Sequence, residues 1–492
     1  MHKARGRNVQ NHEGHTVSVT SLTTLVVQIL EHESTLSDAL SRAVPSNLLY
    51  ILDNFELHIA STPRKNISSN GTLEHPPLTS QAAPCSVLIP QEYVCGNIKY
   101  VSFHVTTPPS DNSTAADADL QNTHIQNTQA ITHEALSRTK GLLEHYQFDR
   151  DQVYYTFADK TIVPTFLTAL TSRSQVDTNV TYQGLRGDIS RFPAFGASMS
   201  YMRSRFAKDI AEAGGVHVLP RVGLDASARF ADVIACEGAP VGVSIGLKDS
   251  AAFLEQLTQQ NNVHFLSIDI AHGANAAVLP LLARIRALGI TSGVMLGNVG
   301  SVEGFVFAYY LMKLTGFDTF TIKVGVGPGS VCTTRLNTGV GVGQFTLLEE
   351  INRVRQDLLA DEQVTIISDG GINTSGDFAK AIALSDGVMM GKFFASGSLE
   401  ENVLLRDEDG TLTGVTIFGM ASSLVPDKSR YVEGGTQVLH DVHQDAQSAV
   451  TRLRDGLQSA MTYVDAHDLT AFRQNVRFAT NSSGTRVENG IH

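Results

Sequence analysis

A glycine-rich turn that carries a cysteine is the segment of this chain best suited to catalysis. Residues 325–335 read GVGPGSVCTTR, so three glycines precede the cysteine, and two threonines and an arginine follow it. The glycines leave room for peptide N–H groups to approach an anion such as a phosphate. Cys332 is a candidate nucleophile, because N–H dipoles and the nearby Arg335 favour the thiolate. A buried structural cysteine is the alternative interpretation, and the glycines, Ser330 and Arg335 disfavour it.

Further polar residues end short apolar runs that are typical of strands. Asp269 ends the run FLSID, and Asp369 follows IIS and precedes two glycines. A carboxylate such as Asp369 can accept hydrogen bonds from a ribose diol, whereas the alternative role for each aspartate is a helix N-cap. No spacing of His, Cys and Asp resembles a zinc site. The other polar or glycine positions at run ends are Ser198, Ser200, His272, Asn298, Lys323, Gly370, Gly371, Gly391 and Lys392.

Composition favours a cytoplasmic protein that has no membrane partner. Of the 492 residues, 42% are hydrophobic and 17% are charged. No run approaches the roughly 20 apolar residues of a membrane helix, and the N-terminus does not read as a secretory signal. Four cysteines fit a reducing compartment better than a disulfide scaffold. The net charge of −12 argues against a nucleic-acid surface, so an anionic substrate would be held locally by amides and a few arginines.

From about residue 156 to residue 400, short apolar runs alternate with amphipathic helical stretches. Eight β-then-α units in series, most about 25 to 30 residues long, predict a (β/α)₈ TIM barrel of the α/β class. An open doubly wound sheet is the alternative, but no GxGxxG follows the first strand. In such a barrel the site lies at the C-terminal ends of the strands. The predicted strands are 192–199, 216–222, 240–246, 263–270, 293–299, 319–325, 364–368 and 387–394.

Residues 1–145 read differently and contain no motif with recognisable chemistry. We expect an accessory domain or a partly disordered extension there, with strand-like runs that include residues 85–105. The polar stretch 106–132 is typical of a linker or a disordered segment. The barrel is then predicted to occupy residues 150–492, with a short flap at about 419–436.

Several motifs resemble those of the IMP dehydrogenase and GMP reductase family over about residues 155–490. The cysteine loop at 325–335, followed by TGVG at 338–341, is the most specific of them. The others are ISDGGI at 367–372, SGD at 375–377, GNV at 297–299, DIAHG at 269–273, VMMG at 388–391 and FGM at 418–420. The resemblance implies a (β/α)₈ barrel enzyme that acts on a purine nucleoside monophosphate.

The resemblance also implies roles for individual residues. Cys332 would attack C2 of the purine, where NADPH, or NAD in the alternative activity, would exchange hydride. On the substrate side, the 5′-phosphate would be bound by Ser330, Gly371 and Gly391, and the ribose by Asp369. Met420 and Ser422 would lie near the base, and Arg430 is a further substrate-binding residue that the resemblance implies. On the nicotinamide side they are Asp269, Ala271, Gly273 and Asn298. A homotetramer and a monovalent cation at the loop 325–332 are further expectations, and no other metal is expected.

Two activities share this scaffold, and the resemblance favours the reductase. A GMP reductase would use Thr334 and Glu433 to release ammonia, whereas an IMP dehydrogenase has a long flap with an Arg-Tyr pair and usually an inserted regulatory domain. No insert interrupts residues 216–246, and the stretch 424–432 between Ser423 and Glu433 is too short for a dehydrogenase flap. The pair Arg430-Tyr431 can still be read as the dehydrogenase pair.

Three departures from the family pattern leave a third interpretation open. Ser200 stands where the family has an aspartate, Lys392 replaces a second glycine after Gly391, and Ala421 replaces a serine of the reductase. These residues are compatible with a nucleotide-binding regulator that does not catalyse a reaction.

Overall fold

The computed structural model forms two compact units, residues 1–127 and residues 128–492. It describes residues 9–10, 16–17, 87–95, 98–106, 115–144, 146, 152–360, 363–425, 434–440, 442 and 445–488. The boundary expected between residues 145 and 150, and the character expected for residues 1–145, stay predictions.

Two antiparallel strand pairs are described in the first unit. Val9–Gln10 pairs with Thr16–Val17. Val87–Cys95 and Ile98–Thr106 form a longer hairpin in full register, from Val87 opposite Thr106 to Cys95 opposite Ile98. This hairpin confirms the strand-like reading of residues 85–105, which is rich in the β-branched and aromatic residues that favour strands.

The linker predicted over residues 106–132 is wrong for most of its length, because a helix covers Ala115–Leu143. Its composition is polar, but alanine, leucine, glutamine and glutamate all have good helix propensity. In the part that belongs to the second unit, Ala135, Thr139 and Leu143 are buried and follow one another at a spacing of four residues. Such spacing puts them on one helical face. This periodicity indicates a helix, although the polar composition of the segment is typical of a linker.

Eight parallel strands close into a barrel, which confirms the predicted (β/α)₈ architecture. Each strand pairs with its neighbours in chain order, and the last pairs with the first through Met389 opposite Phe195. Seven of the eight predicted runs contain the observed strand, and the run 364–368 ends one residue before its strand does. The observed strands are β1 (Ala194–Gly196), β2 (Val216–Leu219), β3 (Val241–Ile245), β4 (Val263–Asp269), β5 (Val294–Val299), β6 (Phe320–Val324), β7 (Val364–Asp369) and β8 (Gly387–Met390).

Helices follow the strands and form the outer layer. Several begin at a side chain that accepts a backbone N–H, such as Asp225 from Ala228 at 2.8 Å, as is usual for N-caps. The helix Ala446–Tyr463 packs against both Ser375–Ile382 and Ser204–Glu212, which completes the outer layer. The helices are α1 (Ser204–Glu212), α2 (Ala226–Ala235), α3 (Ala251–Thr258), α4 (Leu279–Ala287), α5 (Val302–Leu314), α6 (Gln344–Leu358), α7 (Ser375–Ile382) and α8 (Ala446–Tyr463).

Apolar side chains fill the lower part of the barrel and close its N-terminal end. A hairpin of Val180–Gly184 and Gly187–Arg191 lies across this end. The Tyr182 hydroxyl donates to the carbonyl of Asp386, just before β8, at 2.7 Å. The interior cluster consists of Tyr182, Ile189, Phe195, Val216, Val218, Phe265, Met295, Ile367 and Met389. A ligand can therefore enter the barrel only from the C-terminal ends of the strands.

An antiparallel sheet is inserted between β8 and α8. Its strands are Leu404–Arg406, Leu412–Phe418 and Thr436–Leu439. The pair Phe418 opposite Thr436 fixes both ends of the connection 419–435, which contains the predicted flap. Within the described residues, no helix is long and apolar enough to cross a membrane.

His217 is buried in β2 beneath the loop that follows β1. Its Nδ1 lies 3.1 Å from the Gly196 carbonyl oxygen, and its Nε2 lies 2.7 Å from that of Met202. A Cβ at residue 196 would lie 2.6 Å from Nδ1, so only glycine leaves space for the ring. Burial lowers the pKa of His217 to about 4, although both carbonyl groups favour the protonated ring.

We expect the stability of the protein to fall as the pH drops from 7 to 5. The unfolded chain takes up a proton at His217 near pH 6.5, whereas the folded protein does so only near pH 4. The free energy of unfolding should therefore decrease by on the order of 2 kcal/mol over this interval. His217→Gln should lack that part of the pH dependence in urea titrations, and the exposed control His467→Gln should retain it. Equal slopes in the two variants would contradict this assignment.

Candidate active site

The C-terminal ends of the strands surround a cleft with a volume of about 430 Å³. Its wall contains most of the residues that the sequence predicts for the site. The cysteine loop forms one side, the ends of β4 and β7 form the floor, and Met420 lies on the opposite rim. The predicted residues in the wall are Asp269, Ala271, Asn298, Ser330, Cys332, Thr334, Asp369, Gly371, Gly391 and Met420.

Cys332 lies at the tip of the turn after β6 and is half-buried. Its thiol group is 3.1 Å from the Thr334 hydroxyl, within hydrogen-bond distance. The turn is closed by the Cys332 N–H, which donates to the Gly329 carbonyl at 3.0 Å. A sulfur nucleophile and a hydroxyl that can exchange protons therefore face the same cleft.

Arg335 holds the turn in shape rather than facing the substrate. Its Nε donates to the Val326 carbonyl at 3.3 Å, and another nitrogen of the guanidinium donates to the carbonyl of Val342. Gly327 has a φ of +79°, and a Cβ there would lie 2.7 Å from Cγ of Arg335. Glycine at this position thus satisfies both the left-handed backbone and the close approach of Arg335.

Lys323 is the buried cation of the site. It belongs to β6, and its side chain is 2% exposed. Its Nζ lies 2.9 Å from Asp269 Oδ1 and 3.4 Å from Asp369 Oδ2. The strand register explains this geometry, because Asp269 pairs with Gly297 of β5, and Gly297 pairs with Lys323. A Cβ at residue 297 would lie 2.5 Å from Cβ of Lys323, so the glycine makes room for the lysine.

Each of the two carboxylates has a second partner. The Ser198 hydroxyl donates to Asp269 Oδ2 at 2.7 Å. Asn298 Nδ2 donates to Asp369 Oδ2 at 2.7 Å and to the Gly325 carbonyl at 2.9 Å. The Oδ1 atom of Asn298 is buried and has no hydrogen-bond partner among the described residues. Because an unpaired buried acceptor is costly, this atom is available for a donor on a ligand.

The network keeps its charges at neutral pH. Burial opposes ionisation of Asp269, but the charge of Lys323 and the hydrogen bonds of the carboxylate outweigh burial and hold its pKa below the usual value. Burial likewise opposes the charged form of Lys323, and the two carboxylates reverse the effect and raise its pKa. The floor of the cleft is thus a fixed arrangement of one cation between two anions.

Backbone N–H groups line the side of the cleft near β7 and β8. Those of Gly371, Gly391 and Lys392 donate no hydrogen bond within the described part of the chain. Gly371 has a φ of +81°, a backbone conformation that glycine adopts without strain. Free donors on glycine-rich backbone are typical of a phosphate site.

The connection 419–435 is tied to the cysteine loop through its backbone. Gly434 forms an antiparallel bridge with Cys332, and the Gly435 N–H donates to the Val331 carbonyl at 2.7 Å. A Cβ at residue 434 would lie 2.5 Å from the Ser422 nitrogen, so glycine permits this crossing. At the other end, the Ser200 N–H lies 3.3 Å from the sulfur of Met420.

Among the described residues, two that the sequence predicts for the site, Gly273 and Ser422, are not in the wall of the cleft. Gly273 lies behind Asn298, with its N–H donating to the Asn298 carbonyl at 2.7 Å. Ser422 is buried, and its hydroxyl accepts from the Leu424 N–H at 3.3 Å. Arg430 and Glu433 lie outside the described residues. The roles expected for all four stay predictions.

Arg221, after β2, is the main residue of the wall that the sequence reasoning missed. Its guanidinium donates to the Asp269 carbonyl at 2.6 Å, which fixes the end of β4. The position at a strand end was a usable signal, because the same rule identified Asp269 and Lys323. For Ser198 and Lys323, the sequence predicts a place at a strand end but no role.

Within the described residues, no group of three His, Cys, Asp or Glu side chains could hold a metal ion. The monovalent cation expected at the loop 325–332 stays a prediction. Arg335 already binds the carbonyl groups of Val326 and Val342 next to this loop.

A closed (β/α)₈ barrel with a cysteine, a hydroxyl and ordered charges at its C-terminal mouth defines an enzyme of the barrel class. The chain matches the IMP dehydrogenase / GMP reductase domain over residues 154–492, and it belongs to this family of oxidoreductases.

GMP reductases of three bacteria are similar to this chain over somewhat more than half of its length. The GMP reductase of Bacillus licheniformis is 32% identical over 306 residues, which cover 61% of this chain and 89% of that protein. The GMP reductase of Bacillus subtilis is 32% identical over 307 residues, covering 61% of this chain and 89% of the relative. The GMP reductase of Enterococcus faecalis is 32% identical over 307 residues, which cover 62% of this chain and 89% of that protein.

We expect Lys323→Met to destabilise the protein by about 3 kcal/mol at pH 7, because both carboxylates lose their buried cation. In the variant, burial should raise the pKa of Asp269 above that of the unfolded chain, so the folded state gains a proton as the pH falls. The difference in the free energy of unfolding between the protein and the variant should therefore become smaller between pH 7 and pH 5 in urea unfolding experiments.

The matched control is Lys208→Met, which removes a half-buried lysine that lies 3.1 Å from the exposed Glu237. This change should cost less than about 1 kcal/mol at either pH. A Lys323→Met variant as stable as the control variant would contradict the role of the buried cation.

Proposed function

We propose that this chain is a GMP reductase, which converts GMP to IMP and ammonia with NADPH through a covalent bond between Cys332 and purine C2. The observation that carries the proposal is the pair of Cys332 and Thr334, 3.1 Å apart in the cleft. The names of the three relatives support the choice of reaction. The short stretch 424–432 supports it further, because a dehydrogenase of this family has a long flap.

The nucleotide would lie with its phosphate towards β7 and β8 and its base beneath the cysteine. Free N–H groups at Gly371 and Gly391, with Ser330 opposite, suit the 5′-phosphate. Asp369 accepts a hydrogen bond from Asn298 through one oxygen and has capacity left for the ribose hydroxyls. Met420 would then contact the base, and Ser422 and Arg430 would support the same end of the site.

The nicotinamide would lie against Asp269, Ala271 and Asn298. The unpaired Oδ1 of Asn298 fits a group with an amide donor, as a carboxamide has. When bound, a reduced nicotinamide supplies the hydride that purine C2 takes up. Asp269 is held in place by Lys323 and Ser198, so it offers a fixed acceptor on this side. Gly273, behind Asn298, would keep that side chain in position.

The chemistry needs a thiolate and a source of protons. Attack of Cys332 Sγ on C2 forms the C–S bond, and the 2-amino group leaves as ammonia once it has gained protons. Uptake of a hydride at C2 then allows the C–S bond to break, which returns the thiolate and yields IMP. Thr334 and Glu433 would carry the protons. Glu433 directly precedes Gly434 in the sequence, and Gly434 pairs with Cys332.

An IMP dehydrogenase that uses NAD is the second candidate, because Arg430-Tyr431 can be read as the pair that activates water in that reaction. The homotetramer, the cytoplasmic location and the monovalent cation belong to the same proposal and rest on the family resemblance.

Purified protein should consume NADPH and release ammonia when GMP is added. The measurement follows the reduced-nicotinamide absorbance together with an ammonia assay. With IMP and NAD, no reduced nicotinamide should form. Formation of NADH from IMP would instead establish the dehydrogenase, and binding of GMP without turnover of either pair would contradict both reactions.

Two variants separate the covalent step from proton transfer. Cys332→Ala should abolish turnover, because no C–S bond can form. Thr334→Val keeps the shape of the side chain and should lower kcat by about 10² to 10⁴-fold. Thr333→Val is the matched control, since its hydroxyl accepts from the Asn337 amide at 3.0 Å instead of facing the thiol. Full activity in Thr334→Val would remove this residue from the mechanism.

A further inference from the structure

A second cavity, with a volume of about 490 Å³, lies beyond the end of the cleft where the 5′-phosphate is proposed to bind. The two spaces share Ile372, Asn373 and Lys392 in their walls. Lys392 therefore stands between them. The far wall of the second cavity is formed by α8 and by the strand Thr436–Leu439 with the residues after it.

The described residues in the wall of this second cavity are basic, in a chain whose net charge is −12. Lys392 and Arg452 contribute two cations, and His440 adds an imidazole. No aspartate or glutamate is among the described residues that form the wall. A concave surface with charges of one sign concentrates ligands of the opposite sign.

Neither cation is neutralised by the described part of the chain. No carboxylate there lies within ion-pair distance of Lys392 or Arg452, and neither side chain donates a hydrogen bond in it. The Arg452 guanidinium lies over the ring of Phe393, with 4.6 Å between Cζ and the ring centroid. Stacking fixes the plane of the guanidinium and leaves its N–H groups free, so it can bind an oxyanion through two hydrogen bonds.

The geometry points to an anion subsite for the terminal phosphate of a purine nucleoside 5′-diphosphate. The first phosphate would lie on the free N–H groups of Gly371, Gly391 and Lys392. The second would then pass the Lys392 side chain and meet Arg452. This inference rests on the proposed function, because the position of the first phosphate comes from the proposed binding of GMP.

Lys392 connects the subsite to the cleft, because it lies in the walls of both spaces. The family resemblance has a glycine at this position, and a glycine would leave Arg452 as the only fixed cation in the described wall. A lysine between the two spaces can contact both phosphates, whereas Arg452 can contact only the outer one. Lys392 is therefore expected to contribute to the affinity for both mono- and diphosphates, whereas Arg452 is expected to contribute only to the affinity for diphosphates.

Calorimetric titration of the full chain with GMP, with GDP, and with GMP plus inorganic phosphate tests this inference. GDP should bind about tenfold more tightly than GMP, the low end for charge-assisted hydrogen bonds at a partly exposed site. The preference should shrink as salt is added. Arg452→Gln should bring the ratio of the two dissociation constants close to one, while Arg406→Gln, an exposed arginine paired with Glu401, should leave the ratio unchanged.

The outcomes separate the subsite from the proposed function. Binding of GMP with an equal or weaker affinity for GDP overturns the subsite alone, as does a GDP preference that survives in Arg452→Gln. Tighter binding of GMP in inorganic phosphate, without a preference for GDP, overturns the diphosphate assignment in favour of a separate anion. Failure of both nucleotides to bind overturns the subsite together with the proposed function.

Discussion

The ion pairs of Lys323 are the interaction on which the rest of the site depends. One buried cation holds Asp269 at 2.9 Å and Asp369 at 3.4 Å, and these carboxylates lie at the ends of two different strands. Without the lysine, two anions would share a poorly solvated floor and repel each other. The two ion pairs also connect the two halves of the cleft. Asp369 faces the proposed nucleotide side, and Asp269 faces the proposed nicotinamide side. A change in the charge of one carboxylate therefore alters the interaction of Lys323 with the other carboxylate.

The nucleophile is positioned by backbone instead of by charge. Gly325 has a φ of +144°, and a Cβ there would overlap the carbonyl of Asp369. The chain can leave β6 in this direction only because the residue is glycine. Arg335 then binds the Val326 carbonyl, and Gly435 binds the Val331 carbonyl. The cysteine thus has little freedom of its own, which suits a covalent step in which attacking and attacked atoms must meet at a fixed distance.

The eight strands and most of the site could be predicted from sequence, because one rule supplies both. Buried parallel strands read as apolar runs, and the residue that ends each run lies at the mouth, as Asp269, Asn298 and Asp369 do. The direction of side chains in irregular loops could not be predicted in this way. Ser422 and Met420 are two residues apart, yet only Met420 lines the cleft. The helix Ala115–Leu143 was not predicted, because most of its residues are polar and only a few form its buried face.

The short connection 419–435 has a consequence for how the reaction can be controlled. Its ends are fixed by the pair Phe418 and Thr436, and Gly434 is fixed again by its bridge to Cys332. In the proposed reaction, the residues next to these ties in the sequence are therefore the ones expected near the thiol. Glu433 is such a residue by its place in the sequence. A long flap would instead have to order itself over the site, at a cost in conformational entropy that grows with each residue it fixes. A short tied connection therefore favours a reaction whose proton donor remains next to the thiol throughout the cycle.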